Sequence, residues 1–166
     1  YGPAWYYIAL PFNMLGGFHP FASVIGVLFL SLITLYVFYR YVGKFSAFLY
    51  AVSISAIGSQ QTAWTPYMTS FCTLPVFLLL KKLKPGKYAN TWALMGIAFF
   101  SSLMFHFEVA FAIVFLPLVI LSLFITKIKM RPKQFILMCA AFFITLVPSA
   151  AFELRHDFLQ TRAVIN

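Results

Sequence analysis

Long apolar runs alternate with short basic clusters along the whole of this chain, and no other feature limits its possible folds as strongly. Phe21 to Tyr39 carries no charged side chain and ends at Arg40 and Lys44. A second apolar stretch leads to Lys81, Lys82, Lys84 and Lys87. A third, Tyr88 to Thr126, ends at Lys127, Lys129, Arg131 and Lys133, and a fourth covers Gln134 to Phe152. At 1.5 Å per residue, roughly 20 apolar residues cross the ~30 Å hydrocarbon core of a bilayer. The first and last runs match that length. The middle pair exceed it and must fold back, so the sequence predicts hairpins flanked by single crossings, about six spans in all.

Both bends have a chemical signature. Gln60-Gln61-Thr62-Ala63-Trp64-Thr65-Pro66 is polar without charge, and Pro66 opposes helix continuation. The arms of this first hairpin are short, and Pro75 is expected to kink the second. His106-Phe107-Glu108 stands almost midway between Lys87 and Lys127 and marks the tip of the other hairpin. The short alternating segments of a membrane barrel are absent. The expected fold is therefore all-α, a polytopic transmembrane helix bundle.

Composition agrees. Hydrophobic residues make up 63% of the chain and charged ones 9%, where soluble domains sit near half apolar and about a quarter charged. A water-soluble fold of 166 residues cannot hide that much apolar surface. Cys72 and Cys139 both lie inside apolar runs, which fits packing residues and excludes a disulfide-stapled secreted scaffold. The formal charge of +9 invites a nucleic-acid reading, but the cations sit in clusters between apolar runs, as in cytoplasmic loops of membrane proteins. Arg155 and Arg162 alone fall outside the basic clusters, which hold the other ten of the twelve Lys and Arg residues. Under the positive-inside rule those clusters face the cytoplasm, and both chain ends are then extracytoplasmic. The chain opens at Tyr1 without Met or a basic leader region, so it reads as an internal piece of a longer protein.

Three regions follow. Residues 1–20, with Trp5-Tyr6-Tyr7, Pro3, Pro11 and Gly16-Gly17, read as the end of an extracytoplasmic loop with an interfacial helix. Residues 21–152 form the helical module, and residues 153–166 begin another extracytoplasmic loop. This topology sends Gln60, Gln61, His106, Glu108, Glu153, Arg155, His156, Asp157 and Arg162 to one face. Ionisable groups at a lipid boundary are costly and mark candidate sites. His106 and Glu108, with Gln60 and Gln61, are candidate cavity residues; the alternative is a hairpin tip bathed in water. Arg155 and Arg162, with His156 beside them, are candidates for holding a phosphate, since guanidinium groups bind it bidentately. Their alternative is ion pairing with Glu153 and Asp157. The sequence contains no H-E-x-x-H spacing, P-loop, dinucleotide fingerprint or nucleophile elbow, and it calls for no metal or other cofactor.

Tyr1-Gly2-Pro3-Ala4-Trp5-Tyr6-Tyr7, Trp64-Thr65-Pro66, Phe105-His106-Phe107-Glu108, and Phe152-Glu153-Leu154-Arg155-His156-Asp157-Phe158 with Thr161-Arg162 resemble membrane glycosyltransferases of the GT-C type. The likeness is to the family of protein O-mannosyltransferases and aminoarabinose transferases, bacterial members above all, and it extends over the whole chain. It implies transfer of a sugar from a polyprenyl-phosphate donor to a protein or glycolipid acceptor, at the extracytoplasmic face of a prokaryotic inner membrane. Trp64, Tyr6 and Tyr7 would then line the substrate cavity, the alternative for the Trp5-Tyr6-Tyr7 cluster being an aromatic belt anchor, and Arg155, Arg162 and His156 would hold the donor phosphate. The family's catalytic acid belongs to the first outer loop, and none of Glu108, Glu153 and Asp157 matches it. No catalytic residue is expected within this chain, which alone would be inactive. The competing expectation is a transporter or lipid flippase, with the outward polar cluster and the Pro75-broken span lining a substrate path.

Overall fold

A computed structural model describes residues 3–53, 57–58 and 68–158. Every regular element among them is helical: α1 (Pro3–Leu15), α2 (Ala22–Val37) continued by a π-helical turn (Phe38–Val42), α3 (Lys44–Val52), α4 (Thr69–Lys82), α5 (Thr91–Phe107), α6 (Val109–Ile125) and α7 (Pro132–Arg155).

The boundaries have local causes. Asn90 caps α5, its side-chain oxygen accepting the Trp92 backbone N–H at 2.9 Å. Pro132 opens α7 in the one turn where a missing N–H is harmless, and the Gln134 side-chain oxygen accepts the Arg131 N–H at 2.9 Å. Glu108 alone separates α5 from α6; its extended backbone (φ −152°, ψ 98°) breaks the helix at one residue. Gly43, at φ 142°, takes a conformation that L side chains rarely adopt and turns the π-helical segment into α3.

α5 is the central element. It pairs most extensively with α7 and α4, and it also touches α6 and α1. Its buried positions Ala93, Leu94, Ile97, Ala98, Ser101 and Ser102 recur at helical spacing, and Ala93, Leu94 and Ile97 share the core with Cys72 and Val76 of α4. Gly96 makes the α4 contact close, since a Cβ there would lie 2.7 Å from Leu79 Cδ1. α1 returns along α2 from the turn that joins them, with Ser23 Oγ donating to Asn13 Oδ1 at 3.0 Å. The first twenty residues were expected to hold an interfacial helix; α1 is the helix formed there, with Trp5 and Ala9 in the core and Tyr6 and Tyr7 facing outward.

The basic loops gather at one end. Lys129 N–H donates to Lys87 O at 3.2 Å and Ala89 N–H to Lys129 O at 3.1 Å, stitching the α4–α5 loop to the α6–α7 loop. A cleft shared by Val37, Tyr41, Pro75, Lys81 and Lys82 brings the end of α2, and hence Arg40, to the same place. All three acidic residues lie at the opposite end: Glu108 just past α5, Glu153 in the last turn of α7 and Asp157 just past it.

Element lengths revise the expected span count. Ala22–Val42, 21 residues, and Pro132–Arg155, 24 residues, are long and apolar enough to cross a membrane. α5 and α6 have 17 residues each, ~25 Å of helix. α4 has 14 and α3 has 9, ~21 and ~14 Å. Each expected crossing thus begins as a helix, but only two of them reach full length within the described residues. The helix of α4 runs through Pro75.

Candidate functional site at the acidic end of the bundle

The site is organised by polar contacts between α5 and α7. Gln134 Nε2 donates to Thr91 Oγ1 at 3.1 Å, Ser102 Oγ shares a hydrogen bond with Thr145 Oγ1, and Ser149 Oγ meets His106 Nδ1 at 3.3 Å; the partners are 43 positions apart in every case. A constant, ascending offset means that the helices run parallel and in register along their whole contact. Ser102 Oγ also donates to Phe142 O at 2.7 Å. In apolar surroundings such bonds have no competing water, so helices are held by them at specific positions.

His106 belongs to this seam. It is 2% exposed, and its Nε2 lies 2.8 Å from Thr145 O. A carbonyl oxygen only accepts, so Nε2 carries the proton, and Nδ1 is left to accept from the Ser149 hydroxyl. Both ring nitrogens are thereby engaged in joining α5 to α7, and His106 does not stand in an open cavity mouth. Phe107 beside it is also buried. The expected hairpin tip is reduced to Glu108, half-buried at the α5–α6 hinge.

The offset that pairs the helices sets Glu108 level with Ala151, about one helical turn before Arg155. Glu108 and Arg155 therefore share one end of the bundle. Arg155 and His156 are exposed where α7 stops. His156 Nδ1–H donates back to Phe152 O at 2.9 Å, and its ring stacks on Phe152 at 4.2 Å. That leaves the Nε2 edge turned away from the helix. The stop itself uses two left-handed residues in succession, Asp157 (φ 51°) and Phe158 (φ 58°), with Phe158 N–H donating to Glu153 O at 2.9 Å. For Phe158 this is a strained conformation. It bends the chain sharply beside Arg155.

Tyr6 and Tyr7 are exposed on α1, at 63% and 65%. Gln60, Gln61, Trp64 and Arg162 lie outside the described residues. Among the described residues no group of three or more His, Cys, Asp or Glu is placed to hold a metal ion. Three contributors escaped the sequence reading: Ser102, Thr145 and Ser149. Their signal was present, because Ser102 with His106 and Thr145 with Ser149 are polar pairs four apart on otherwise apolar helices, and so share a face. His19 also escaped it. It precedes α2, whose far end joins the basic loops, and its Nδ1 accepts the Phe21 N–H at 3.3 Å.

Chemically, the acidic end offers an exposed guanidinium, an imidazole edge and carboxylates on a helical frame. A guanidinium suits an anionic oxygen, an imidazole N–H or nitrogen adds a polar contact, and the hinge carboxylate suits a hydroxyl or an amine. Compared with known proteins, the chain matches no family model, no curated protein and no solved structure.

Proposed function

We propose that this chain is a transmembrane module of a glycosyltransferase that uses a polyprenyl-phosphate-linked sugar, with the acidic end of the bundle facing the extracytoplasmic side. The observation that carries the reading is the register of α5 and α7, which brings Glu108 to the same end as Arg155 and His156. Likeness of the Phe105–Glu108 and Phe152–Phe158 motifs to GT-C enzymes supplies the reaction class. Lipid as solvent is supported by α7, where Phe143, Ile144 and Val147 are 62%, 64% and 58% exposed. Leaving such side chains in water costs about 1.5–3 kcal/mol each relative to burial.

In this reading the donor lipid lies with its phosphate at the Arg155 guanidinium. The bond between the anomeric carbon and the phosphate oxygen breaks while a bond to the acceptor hydroxyl oxygen forms. The hydroxyl proton passes to a carboxylate base that no residue of this chain is assigned to be. Arg155 stabilises the charge growing on the departing phosphate, and His156 Nε2 offers a further polar contact. Glu108 lines the acceptor side of the site. Cytoplasmic placement of the basic loops, about six crossings and a prokaryotic inner membrane belong to the same proposal.

Arg155→Ala in the full-length protein is expected to lower sugar transfer by about a hundredfold or more, as loss of a charge-stabilising donor does, with membrane abundance unchanged. Normal turnover in that variant would end the phosphate role. Net movement of lipid or substrate across vesicles without sugar transfer would instead favour the transporter or flippase reading.

A further inference from the structure

We propose that the groove between the amino-terminal ends of α5 and α7 binds an anionic glycerophospholipid from the leaflet that faces the basic loops. The inference rests on the membrane placement above, not on sugar transfer. The groove has a volume of about 420 Å³ and two chemical halves. Arg131 and Lys133 stand at its rim with Thr91 and Gln134, and Trp92, Met95 and Leu137 form its apolar wall.

The polar half is rigidly built. Gln134 Nε2 donates to Ala89 O at 2.7 Å as well as to Thr91 Oγ1, and Gln134 Oε1 accepts the Arg131 N–H. One side chain therefore pins the start of α7 to the start of α5. The Arg131 guanidinium lies over the Tyr88 ring, 5.0 Å from its centroid, a stacking that holds the plane while its edge N–H groups remain able to meet phosphate oxygens. Lys129 and Lys87 are joined by one backbone hydrogen bond in the loops that lead to these helix starts.

Helix capping does not explain these cations. Lys81 and Lys82 occupy the last turn of α4, where the helix dipole favours positive charge. Arg131 and Lys133 flank the first residue of α7, where the dipole opposes it. Every acidic side chain of the protein is at the far end of the bundle, so no carboxylate of its own neutralises this rim. An external anion does so.

The apolar half identifies which anion. Trp92 is 78% exposed, and tryptophan is stabilised at the headgroup level of a bilayer. Below it Met95 and Leu137 continue the groove down the helices. A small soluble anion would satisfy the rim and leave this wall uncovered, and a zwitterionic lipid would cover the wall without net charge for the rim. A phosphodiester with acyl chains and a net negative charge meets both halves. Basic pockets between transmembrane helices on the cytoplasmic side are a recurrent setting for such headgroups.

The test uses Trp92 as its own reporter. The protein carrying Trp5→Phe and Trp64→Phe is reconstituted into phosphatidylcholine vesicles that contain brominated phosphatidylglycerol or, at equal mole fraction, brominated phosphatidylcholine. Trp92 emission is expected to be quenched at several-fold lower mole fraction by the anionic lipid. Arg131→Gln and Lys133→Gln should each reduce that preference by about fivefold at most, the value of one surface cation, and Lys44→Gln should leave it unchanged. Equal quenching by both lipids overturns the proposal with the membrane placement intact, and a preference that survives loss of both cations overturns it too. Absence of quenching by either lipid overturns both. Native mass spectrometry of the wild-type chain from an equimolar lipid mixture needs no tryptophan substitution. Preferential retention of phosphatidylglycerol, lost in Lys133→Gln, supports the site, and equal retention refutes it.

Discussion

Adjacent serines on α5 have opposite roles. Ser102 is fully buried and hydrogen-bonded to α7, whereas Ser101, 1% exposed, has an Oγ with no hydrogen-bond partner among the described residues. A hydrogen bond between membrane helices is worth on average about 0.6 kcal/mol and at most ~1.7, so Ser102→Ala should destabilise the bundle within that range. Removing an unsatisfied buried hydroxyl avoids its desolvation cost. Ser101→Ala should therefore be neutral or stabilise by up to about 1 kcal/mol. Reversible unfolding in mixed micelles separates the variants, and equal destabilisation by both would contradict the assigned seam.

Among the elements, close approach of α1 to α2 depends on Gly26. A Cβ at that position would lie 2.7 and 2.9 Å from Phe12 ring carbons. Alanine gains about 0.8–1 kcal/mol of helix propensity over glycine, but overpacking costs typically 1–3. Gly26→Ala is thus expected to destabilise by up to ~2 kcal/mol, and adding Phe12→Ala should cost less than the sum of the single changes. Strict additivity, by the same unfolding measurement, would mean that the helices do not meet there. Which elements exist was legible in the sequence, because apolar runs between basic clusters set the helices, and Glu108 and Pro132 set their breaks. Their lengths were less so, since a run of apolar residues does not say where backbone geometry ends a helix: α7 runs on past Phe152 to Arg155. His106 shows why the candidate site was only partly legible. Sequence position placed it at a tip, but helical phase turned it toward α7, and that phase depends on a partner 39 positions away.

For the whole molecule, the governing feature is separation of charge. Basic loops close one end, the acids and the Arg155–His156 pair close the other, and apolar helices lie between. The sequence carried the charge order of the described loops, because along an alternating bundle that order needs only the parity of the turns. What it did not carry was the parallel seam that fixes how far α7 reaches beyond α5.

Sidedness tests that architecture most directly. In a background with Cys72 and Cys139 replaced by alanine, single cysteines are introduced as Asp157→Cys and Lys84→Cys, both at exposed positions, and intact cells are treated with a membrane-impermeant thiol reagent. Labelling of the Asp157 position from outside, with the Lys84 position reacting only after permeabilisation, is the predicted result. Labelling of both from the same side would contradict a bundle whose acidic and basic ends face opposite surfaces of a membrane.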